Sequence, residues 1–437
     1  MNATFQQEVT ALVGAAHALF DTADHARYVN DWFGREGGRA RCVVRPSNTQ
    51  QAAALVACCA RHGVAVVPQG GNTGLAGGAL PDDSGTQCVL SLERMSAVRD
   101  IDLAGKTITV EAGAVLANVH ASARDHGMEF PLNMGSQGSS TIGGMLSTNA
   151  GGTAVLRYGN ARALCLGLEV VTPQGEIWNG LRRLRKDNTG YDLRDLYIGA
   201  EGTLGIITAA VLALVPTPKA RLAALVSVAS PVQAIALLQA VQQRAGAQLT
   251  AFELISDACL RLVAQYFPQL PHPFGAAVDG PWAVLLELSD HESEAHAFAL
   301  MESLLGEALD SGVVLDALIP QSLAQSARFW DLREHIPLAQ LEDGKNVKHD
   351  ISLPISEIPR FLDEAGPLLE AAHPGARIIA FGHVGDGNLH FNVAAPAGAS
   401  PQAVLVHKAS INEMVHGLVA RLDGSISAEH GIGRMKA

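Results

Sequence analysis

The chain has 437 residues, of which 48% are hydrophobic and 17% charged, and this composition predicts a globular protein of about two or three domains. Its formal net charge of -12 argues against a nucleic acid or an anionic membrane surface as a partner, because either is normally met by a face rich in Lys and Arg. The six cysteines form no CxxC pair and no spacing typical of a disulfide framework or a thiolate zinc site, which favours a reduced, cytoplasmic setting.

The N-terminus and the apolar runs predict neither export nor a membrane span. The opening residues, MNATFQQEVT, lack the basic start and apolar core of a secretory signal, and early acidic residues with few arginines disfavour a mitochondrial presequence. The longest apolar run, LGIITAAVLALV, is too short to cross a bilayer.

Short apolar strands, Gly-rich turns and helices alternate in the first half of the chain. The segments RCVVRPSN and VAVVPQGG flank the helical pattern TQQAAALVACCARHG, which predicts a strand, helix, strand unit. Further strands are predicted at CVLSL, TITVEAG, LEVVTPQG and IITAAVLALVP. In LVPTPKARLAAL two prolines follow a strand and the glycine density falls, which predicts a domain boundary between residues 216 and 217.

Residues 217–420 predict an α+β domain built on a mainly antiparallel sheet. SPVQAIALLQAVQQRAG has the serine start and glycine stop of a helix, and WAVLLELS has the pattern of a strand. The last stretch, residues 421–437, is Gly-rich again and is similar in amino-acid composition to residues 1–216. We therefore expect this segment to return to the first domain.

Two Gly-rich loops have the composition of anion-binding segments: the first is PQGGNTGLAGGA, residues 68–79, and the second is GSQGSSTIGGMLSTNAGG, residues 135–152. Glycines without a Cβ let backbone N–H groups crowd against a ligand, and such groups bind anions such as a pyrophosphate. Neither loop has the GxxxxGK(S/T) of a P-loop or the GxGxxG of a nicotinamide Rossmann enzyme. Flexible loops without a ligand are the alternative on composition alone.

Taken in order, these two loops with RYGNAR and GAEGTLGIIT resemble the FAD-binding domain of the vanillyl-alcohol-oxidase superfamily, also called PCMH-type. The resemblance implies a two-part FAD-binding domain followed by an α+β substrate (cap) domain. It implies that the FAD pyrophosphate is held by Pro68, Gly70, Gly71, Asn72, Thr73 and Gly74. It also implies that the flavin site is completed by Gly135, Ser136, Gly143, Ser147, Asn149, Gly152, Tyr158, Glu201, Gly202 and Ile207. Some members attach FAD covalently through a histidine in the first loop; no histidine occurs there, so we expect non-covalent FAD.

The segment FGHVGDGNLHFN places two histidines symmetrically about an Asp-Gly pair. Asp-Gly favours the type I′ turn of a two-residue hairpin. With Asp386 and Gly387 at the centre of such a turn, His383 faces His390 directly, at a Cβ separation of roughly 5 Å. Asn392 shares their face of the strand. Two imidazoles at this distance can bind one divalent ion, and packed strand histidines are the alternative.

The segment SAEHGIG offers a third ligand in Glu429, beside His430. Adjacent side chains of an extended chain point to opposite sides, so one can bind a metal while the other faces the reacting atom. HVGDGNLHFN and SAEHGIG together resemble the FAD- and metal-dependent D-2-hydroxyacid dehydrogenases. The resemblance implies that zinc or a similar divalent ion is bound by His383, His390 and Glu429, and that His430 is the catalytic base. Manganese, cobalt or iron also suit these ligands.

A metal of this kind leaves open positions for the hydroxyl and carboxylate of a small anionic 2-hydroxyacid. The base would take the hydroxyl proton while C2 gives hydride to flavin N5, which yields a 2-oxo acid. FWDLREHIPLA and NVKHDISLP supply Arg333 and Lys348, for which ordinary surface charge is the alternative. Arginine is a natural clamp for a carboxylate, and the resemblance implies that Arg333, Lys348 and Asn392 contact the substrate carboxylates.

The resemblance implies D-2-hydroxyglutarate as the substrate, with D-lactate, glycolate or another D-2-hydroxyacid as alternatives. Pro337 departs from the hydroxyglutarate pattern, in which a threonine follows four residues after the arginine. We expect an electron-transfer flavoprotein or a quinone as electron acceptor, and a homodimer as one oligomeric state. Relatives usually continue well past AEHGIG, so we expect weaker FAD retention if the chain ends at Ala437. A metal-only hydrolase using the same two histidines, Glu429 and His430 is the alternative from another class.

Overall fold

The computed structural model describes residues 4–31, 38–275 and 280–436 of the chain. They belong to two compact units that alternate along the sequence. The first unit comprises Met1–Gly152, Tyr158–Thr217 and Glu429–Ala437, and the second comprises Thr153–Arg157 and Pro218–Ala428.

The part of the chain before residue 218 is a mixture of short helices and strands. Its helices are α1 (Phe5–Val13), α2 (Ala26–Val29), α3 (Thr49–Arg61), α4 (Leu116–Arg124), α5 (Ile142–Thr148), α6 (Val155–Tyr158), α7 (Ala161–Leu164) and α8 (Arg194–Tyr197). Its strands are β1 (Ala18–Leu19), β2 (Ala40–Val44), β3 (Val66–Gln69), β4 (Gln87–Ser91), β5 (Val98–Asp102), β6 (Thr107–Glu111), β7 (Met128–Glu129), β8 (Cys165–Val171), β9 (Ile177–Gly180), β10 (Ile206–Ala213) and β11 (Val215–Pro216). The predicted strand, helix, strand unit is confirmed as β2, α3 and β3.

Two sheets of different type form the first unit. One has the order β1-β2-β4-β3, with β2, β4 and β3 parallel and β1 antiparallel at the edge. The other is antiparallel, with the order β5-β6-β10-β8-β9, and β7 pairs with β11. Apolar side chains of both sheets and of α3, α4 and α5 share one core. The predicted two-part architecture is therefore confirmed.

The second unit contains longer helices and strands. Its helices are α9 (Pro231–Ala245), α10 (Asp257–Tyr266), α11 (Glu294–Asp310), α12 (Leu323–Asp343), α13 (Ile358–Ala372) and α14 (Lys408–Arg421). Its strands are β12 (Ala220–Val228), β13 (Leu249–Ser256), β14 (Trp282–Asp290), β15 (Asp316–Leu318), β16 (Asn346–Ser352), β17 (Arg377–Gly382) and β18 (Asn388–Ala394). As predicted, α9 begins after a serine cap, since the Ser230 side chain accepts the N–H of Gln233.

One antiparallel sheet organises the second unit, in the order β15-β12-β14-β13-β17-β18-β16. Helices cover both of its faces. On β12, Leu222 and Val226 join the core that contains α9, α11, α13 and α14, whereas Ala223 and Leu225 join the core that contains α10 and α12. Such two-sided burial explains the nearly continuous apolar strands of this region, and the predicted α+β domain on an antiparallel sheet is confirmed.

The connection between β17 and β18 differs from the predicted two-residue hairpin. His390 pairs with Phe381, so the predicted pairing of His390 with His383 is wrong by two positions. β17 ends at Gly382, and His383 lies outside the ladder. A shift of two residues keeps the same face of the strand, since side chains alternate with period two, and His383 therefore remains on the side of the sheet that carries His390.

The longer turn has a local cause. A type I′ turn needs positive φ at both central residues, but Asp386 belongs to a 3-10 turn, Val384–Asp386, and its N–H donates to the carbonyl oxygen of His383. The positive φ falls on Gly387, at 92°. A Cβ there would lie 2.5 Å from the carbonyl oxygen of Leu353, so glycine is required by contact as well as by conformation.

Within the described ranges, every helix is too short or too polar to cross a membrane.

Candidate functional site

The two Gly-rich loops lie against each other in the first unit. A Cβ on Gly70 would collide with Oγ1 of Thr141, and a Cβ on Gly71 would collide with the carbonyl oxygen of Ser139. After the end of β3, the backbone of Gly70 therefore packs against a side chain of the second loop and that of Gly71 packs against its backbone. The two loops that the sequence predicts to bind FAD form one continuous surface, and its shape depends on these glycines.

Other glycines of the loops are not required by packing. A Cβ on Gly74 or on Gly135 would meet no atom of the described residues within 4 Å. Glycines at such positions suit a surface that must admit a ligand close to the backbone. Both residues belong to the predicted FAD set, and this open space fits a dinucleotide that approaches the loop N–H groups.

Polar residues of the loops are already ordered by protein partners. Oγ1 of Thr73 lies 3.1 Å from Oγ of Ser140, which lies 2.6 Å from Oγ of Ser136. Asn72 has a φ of 53°, and its Nδ2 donates to the carbonyl oxygen of Asn30 over 2.7 Å. These contacts hold the loop backbone in a fixed conformation, which lowers the cost of ordering it around a ligand.

Several residues predicted to contact flavin have a packing role. A Cβ on Gly143 would lie 2.7 Å from Cβ of Ala112, and a Cβ on Gly152 would collide with the carbonyl oxygen of Asn133. Ser147 Oγ donates to the carbonyl oxygen of Gly143 over 2.7 Å. Asn149, at a φ of 52°, ends α5. Contact of these residues with flavin stays a prediction.

A cleft of about 230 Å³ lies where the first loop begins, at Pro68, and has mainly apolar walls. Gly202, at a φ of 77°, lies so close to the ring of Pro68 that a Cβ would collide with it. Both residues line the cleft, together with Val66, Val171 and Thr203. Such walls suit a flat aromatic group, as the resemblance implies for this side of the dinucleotide. Ile207 is buried beneath in β10, and Tyr158, at the end of α6, packs against the core.

The C-terminal segment is fastened to the first loop. The carboxylate of Glu201 accepts the N–H groups of Ile432 and Gly433, each over 2.9 Å. The N–H of Arg434 donates to the carbonyl oxygen of Ala76 over 2.9 Å. Glu201, which the sequence predicts as a flavin contact, therefore acts as an anchor for the stretch that follows Glu429 and His430.

In the second unit, two histidines lie side by side. The ring centroids of His383 and His390 are 5.6 Å apart, with an interplanar angle of 77°. Nδ1 of His383 is hydrogen-bonded to the carboxylate of Glu253, and Nδ1 of His390 lies 3.8 Å from a carboxylate oxygen of Asp350. Histidines that bind a metal commonly donate their other ring N–H to a carboxylate, and His383 has such a hydrogen bond whereas His390 only lies near a carboxylate. The donor set fits a divalent ion bound through the Nε2 atoms.

Glu253 links one of these histidines to a predicted substrate residue. It lies on β13 with none of its surface exposed, and it accepts a hydrogen bond of 2.7 Å from Nε of Arg333. Burial raises the pKa of this carboxyl, but the electrostatic attraction and hydrogen bonds of His383 and Arg333 outweigh burial and lower the pKa to about 2. Glu253 is therefore an ionised carboxylate inside the protein.

Arg333 is not a surface residue, so the alternative of ordinary surface charge is wrong for it. It lies on α12, is 8% exposed and stacks on the ring of Phe381, with Cζ 4.7 Å from the ring centroid. Phe381 is the ladder partner of His390. The helix thus places a guanidinium over the sheet face that carries the histidines.

Asn392 and Lys348 lie on that same face. They oppose each other across β18 and β16, one alternation away from the pair of His390 and Asp350. Nδ2 of Asn392 donates to Oε1 of Gln340 on α12 over 2.8 Å, whereas Lys348 is exposed. One face of the sheet therefore brings together His390, Asn392 and Lys348 of the predicted set with Arg333 of α12.

The sequence analysis missed Glu253, Asp350 and Gln340. One signal was available, because Glu253 is the acidic residue of the otherwise apolar stretch TAFELIS, and an acid in a buried strand needs a partner. Nothing local identifies that partner, since His383 is 130 residues away and Arg333 is 80 residues away in the sequence.

Two family models match the chain. Residues 40–180 match the FAD binding domain, and residues 217–437 match the C-terminal domain of FAD linked oxidases. A D-2-hydroxyglutarate dehydrogenase of Xanthomonas citri pv. viticola is 39% identical over 99% of this chain and 89% of its own length. A mitochondrial D-2-hydroxyglutarate dehydrogenase of Danio rerio is 36% identical over 93% of this chain and 74% of its own length.

Solved structures share the fold at low identity. p-Cresol methylhydroxylase matches with a TM-score of 0.76 and 14% identity, covering 98% of this chain and 89% of the other. Alkyldihydroxyacetonephosphate synthase matches with a TM-score of 0.72 and 16% identity, covering 97% and 80%. The PCMH-type fold predicted from the motifs is confirmed.

Proposed function

Because the chain belongs to the FAD-linked oxidase family and is an FAD-binding oxidoreductase, we propose that it oxidises D-2-hydroxyglutarate to 2-oxoglutarate. The substrate assignment rests on the face of the second unit's sheet that was described above. There, a histidine pair suited to a divalent ion shares one surface with Asn392, Lys348 and the guanidinium of Arg333. Two negative groups and a hydroxyl are what such a surface would recognise.

FAD, held without a covalent link, would supply the hydride acceptor. The loop residues named in the sequence analysis would hold it, and the support is the glycine surface: Gly70 and Gly71 exclude side chains, while Gly74 and Gly135 face open space. The first loop contains no histidine, which supports non-covalent binding.

His383, His390 and Glu429 would hold a divalent ion, for which zinc, manganese, cobalt and iron are suitable. Such an ion supplies Lewis acidity to the hydroxyl and carboxylate of the substrate. Its support is the chemistry of the donor atoms: Nδ1 of His383 is hydrogen-bonded to the carboxylate of Glu253, and Nδ1 of His390 lies 3.8 Å from that of Asp350. A backbone contact of the residue before Glu429 also supports the proposed metal site. The N–H of Ala428 donates to the carbonyl oxygen of Asp350 over 3.2 Å, and Asp350 is the ladder partner of His390.

The chain's own residues would do the rest of the chemistry. Arg333, Lys348 and Asn392 would bind and orient the carboxylates, and His430 would take the proton of the 2-hydroxyl as C2 loses hydride. His430 precedes the stretch that is held by Glu201 and, through the N–H of Arg434, by Ala76 of the first Gly-rich loop, which supports a fixed position for its backbone relative to that loop.

Pro337 favours one second candidate, a D-lactate or glycolate dehydrogenase. It lies inside α12 and has no side-chain hydrogen-bonding group to replace the threonine expected there. A substrate without the second carboxylate would lose least from this change.

One experiment separates these substrates. D-2-hydroxyglutarate is added to the protein without oxygen while the visible spectrum is recorded, and loss of the flavin band is expected. D-lactate, glycolate, D-malate and L-2-hydroxyglutarate are compared in the same way, with turnover followed by an artificial acceptor that replaces the expected electron-transfer flavoprotein or quinone. Faster bleaching by D-lactate or glycolate would support the second candidate, and a flavin that none of them bleaches would refute both.

A further inference from the structure

We infer that Glu253 is a positioning residue that holds a metal-binding histidine and the substrate-binding arginine with one carboxylate, and so couples metal binding to substrate binding. The inference rests on the proposed function and deepens it. It assigns a role to a residue that neither touches the reacting atoms nor belongs to the motifs that predicted the site.

The contacts of Glu253 divide between its two oxygens. Oε1 is hydrogen-bonded to Nδ1 of His383, and Oε2 accepts Nε–H of Arg333 over 2.7 Å. The side chain is fully buried, so water does not compete for either bond. A charge in such a place is costly unless its partners satisfy it, and here the partners are two residues of the proposed site.

His383 needs such a partner because the sheet does not orient it. It follows the end of β17 and leads into a 3-10 turn, with φ of -78° and ψ of 64°. Its ring direction and tautomer are therefore set by side-chain contacts rather than by the ladder. A proton on Nδ1, donated to Glu253, leaves the lone pair of Nε2 available to a metal.

Arg333 is held in a corresponding way. Its Nε–H is used by Glu253 and its guanidinium plane rests on Phe381, so both the direction and the plane of the group are fixed. The Nη atoms are then presented as an ordered pair of donors, which is the arrangement that a carboxylate binds best. Because one carboxylate serves both groups, moving it must disturb both.

A matched control lies on the neighbouring strand. Glu287 of β14 accepts Nε1–H of Trp330 on α12 over 2.8 Å and the hydroxyl of Thr250 on β13 over 2.9 Å. It opposes Ala251 in the ladder and so shares the face of Glu253. Glu287→Gln therefore removes another carboxylate that bonds to α12 on this face of the sheet, and the partners described above, Trp330 and Thr250, are not the two groups that Glu253 holds.

The test compares Glu253→Gln, Glu253→Asp and Glu287→Gln with the starting protein, all carrying His62→Gln. That background is needed because Glu8, Cys58 and His62 form another group of metal donors within 4.8 Å of one another. Zinc affinity is measured by titrating metal-free protein with Zn²⁺, and flavin content and melting temperature are recorded for each. KM and kcat for D-2-hydroxyglutarate follow on zinc-loaded protein.

We expect Glu253→Gln to weaken zinc binding about 10- to 100-fold and to raise KM about tenfold, with flavin content unchanged. Glu253→Asp keeps the charge, but its side chain is too short to reach both partners, so zinc affinity and KM should change together by smaller factors. If Glu253→Gln does not fold, the aspartate variant provides the test of the inference. Glu287→Gln should leave both at the starting values. Unchanged zinc affinity in both Glu253 variants, or no zinc binding by the starting protein, would overturn the inference. Failure of D-2-hydroxyglutarate to reduce the flavin would instead refute the proposed function, because the zinc titration does not depend on turnover.

Discussion

At the scale of single residues, the shape of the candidate cofactor surface depends on glycines, because these residues have no Cβ atom. Gly71 lies where a Cβ would collide with the carbonyl oxygen of Ser139, whereas a Cβ on Gly138, three residues after Gly135 in the second loop, would meet no atom of the described residues within 4 Å. The two glycines therefore distinguish a position fixed by packing from one that tolerates a methyl group.

We expect Gly71→Ala to separate the two Gly-rich loops and to release FAD. An added methyl in a tight site costs ~1–3 kcal/mol, and about 1.4 kcal/mol is a tenfold change in affinity, so FAD binding should weaken by about five- to 150-fold. The measurement is FAD affinity by fluorescence titration of flavin-free protein. Gly138→Ala is the control, and equal affinity of the two variants would contradict a packing requirement at Gly71.

The residue scale also shows what the sequence could and could not predict. Arg333 and the histidines were predicted as site residues because each belongs to a short motif of consecutive residues. Glu253 was missed because the reason for a buried carboxylate lies in His383 and Arg333, which only the folded sheet brings to it. Burial and charge compensation are properties of the fold, and a list of motifs does not contain them.

At the scale of elements, helix starts and strand patterns were predictable and the turn was not. Ser230 caps α9 through a hydrogen bond three residues away, and such signals are complete within a short window. The turn between β17 and β18 depends instead on Leu353, whose carbonyl oxygen faces Gly387 from another part of the chain. An Asp-Gly pair therefore predicted the presence of a turn but gave the wrong register.

We expect Gly387→Ala to displace His383 and weaken zinc binding. The alanine would have a positive φ, which costs ~1–2 kcal/mol for an L-residue, and its Cβ would lie 2.5 Å from Leu353 O. Gly398→Ala is a matched control, since Gly398 has a similar φ of 78° but no described atom within 4 Å of its Cβ position. Zinc titration should show a loss for the first variant alone. A similar loss in both would mean that backbone strain, rather than this contact, accounts for the effect.

The start of α11 should make stability depend on pH. Asp290 accepts the N–H groups of Glu292 and Ser293 with Oδ1, and Oδ2 lies 2.6 Å from Nδ1 of His296. The hydrogen bond to Asp290 raises the pKa of His296 above 6.5. Burial raises the pKa of Asp290, but its hydrogen bonds outweigh burial and lower it below 3.8.

The two pKa shifts determine whether folding stability rises or falls with pH. The stabilisation from His296 is complete below 6.5 and is lost as the pH rises through its raised pKa, while that from Asp290 is complete above 3.8 and is lost as the pH falls. Asp290→Asn should therefore lower the melting temperature more at pH 6 than at pH 8.5. His296→Gln, which removes the titrating partner, should make the effect of Asp290→Asn independent of pH between these values. An equal effect of Asp290→Asn at both pH values in the presence of His296 would show that the ion pair does not contribute.

At the scale of the whole chain, the first unit is closed by residues far apart in sequence. Glu201 accepts N–H groups of Ile432 and Gly433, which lie 231 and 232 residues later, and the same segment meets the first Gly-rich loop at Ala76. Similar glycine content predicted that the end of the chain would return to the first domain, but the anchoring role of Glu201 required the fold.

We expect Glu201→Ala to loosen the C-terminal segment and the first loop together. Two N–H groups would lose their acceptor, at ~1–3 kcal/mol for each group left unsatisfied, and water can offset part of this cost because the bonds lie near the surface. Limited proteolysis should cut the last residues faster, and flavin should dissociate faster in a fluorescence assay. Glu176→Ala removes an exposed carboxylate of the same unit and should change neither rate. Faster proteolysis with unchanged flavin dissociation would show that the segment is anchored by Glu201 yet does not hold the FAD loop in place.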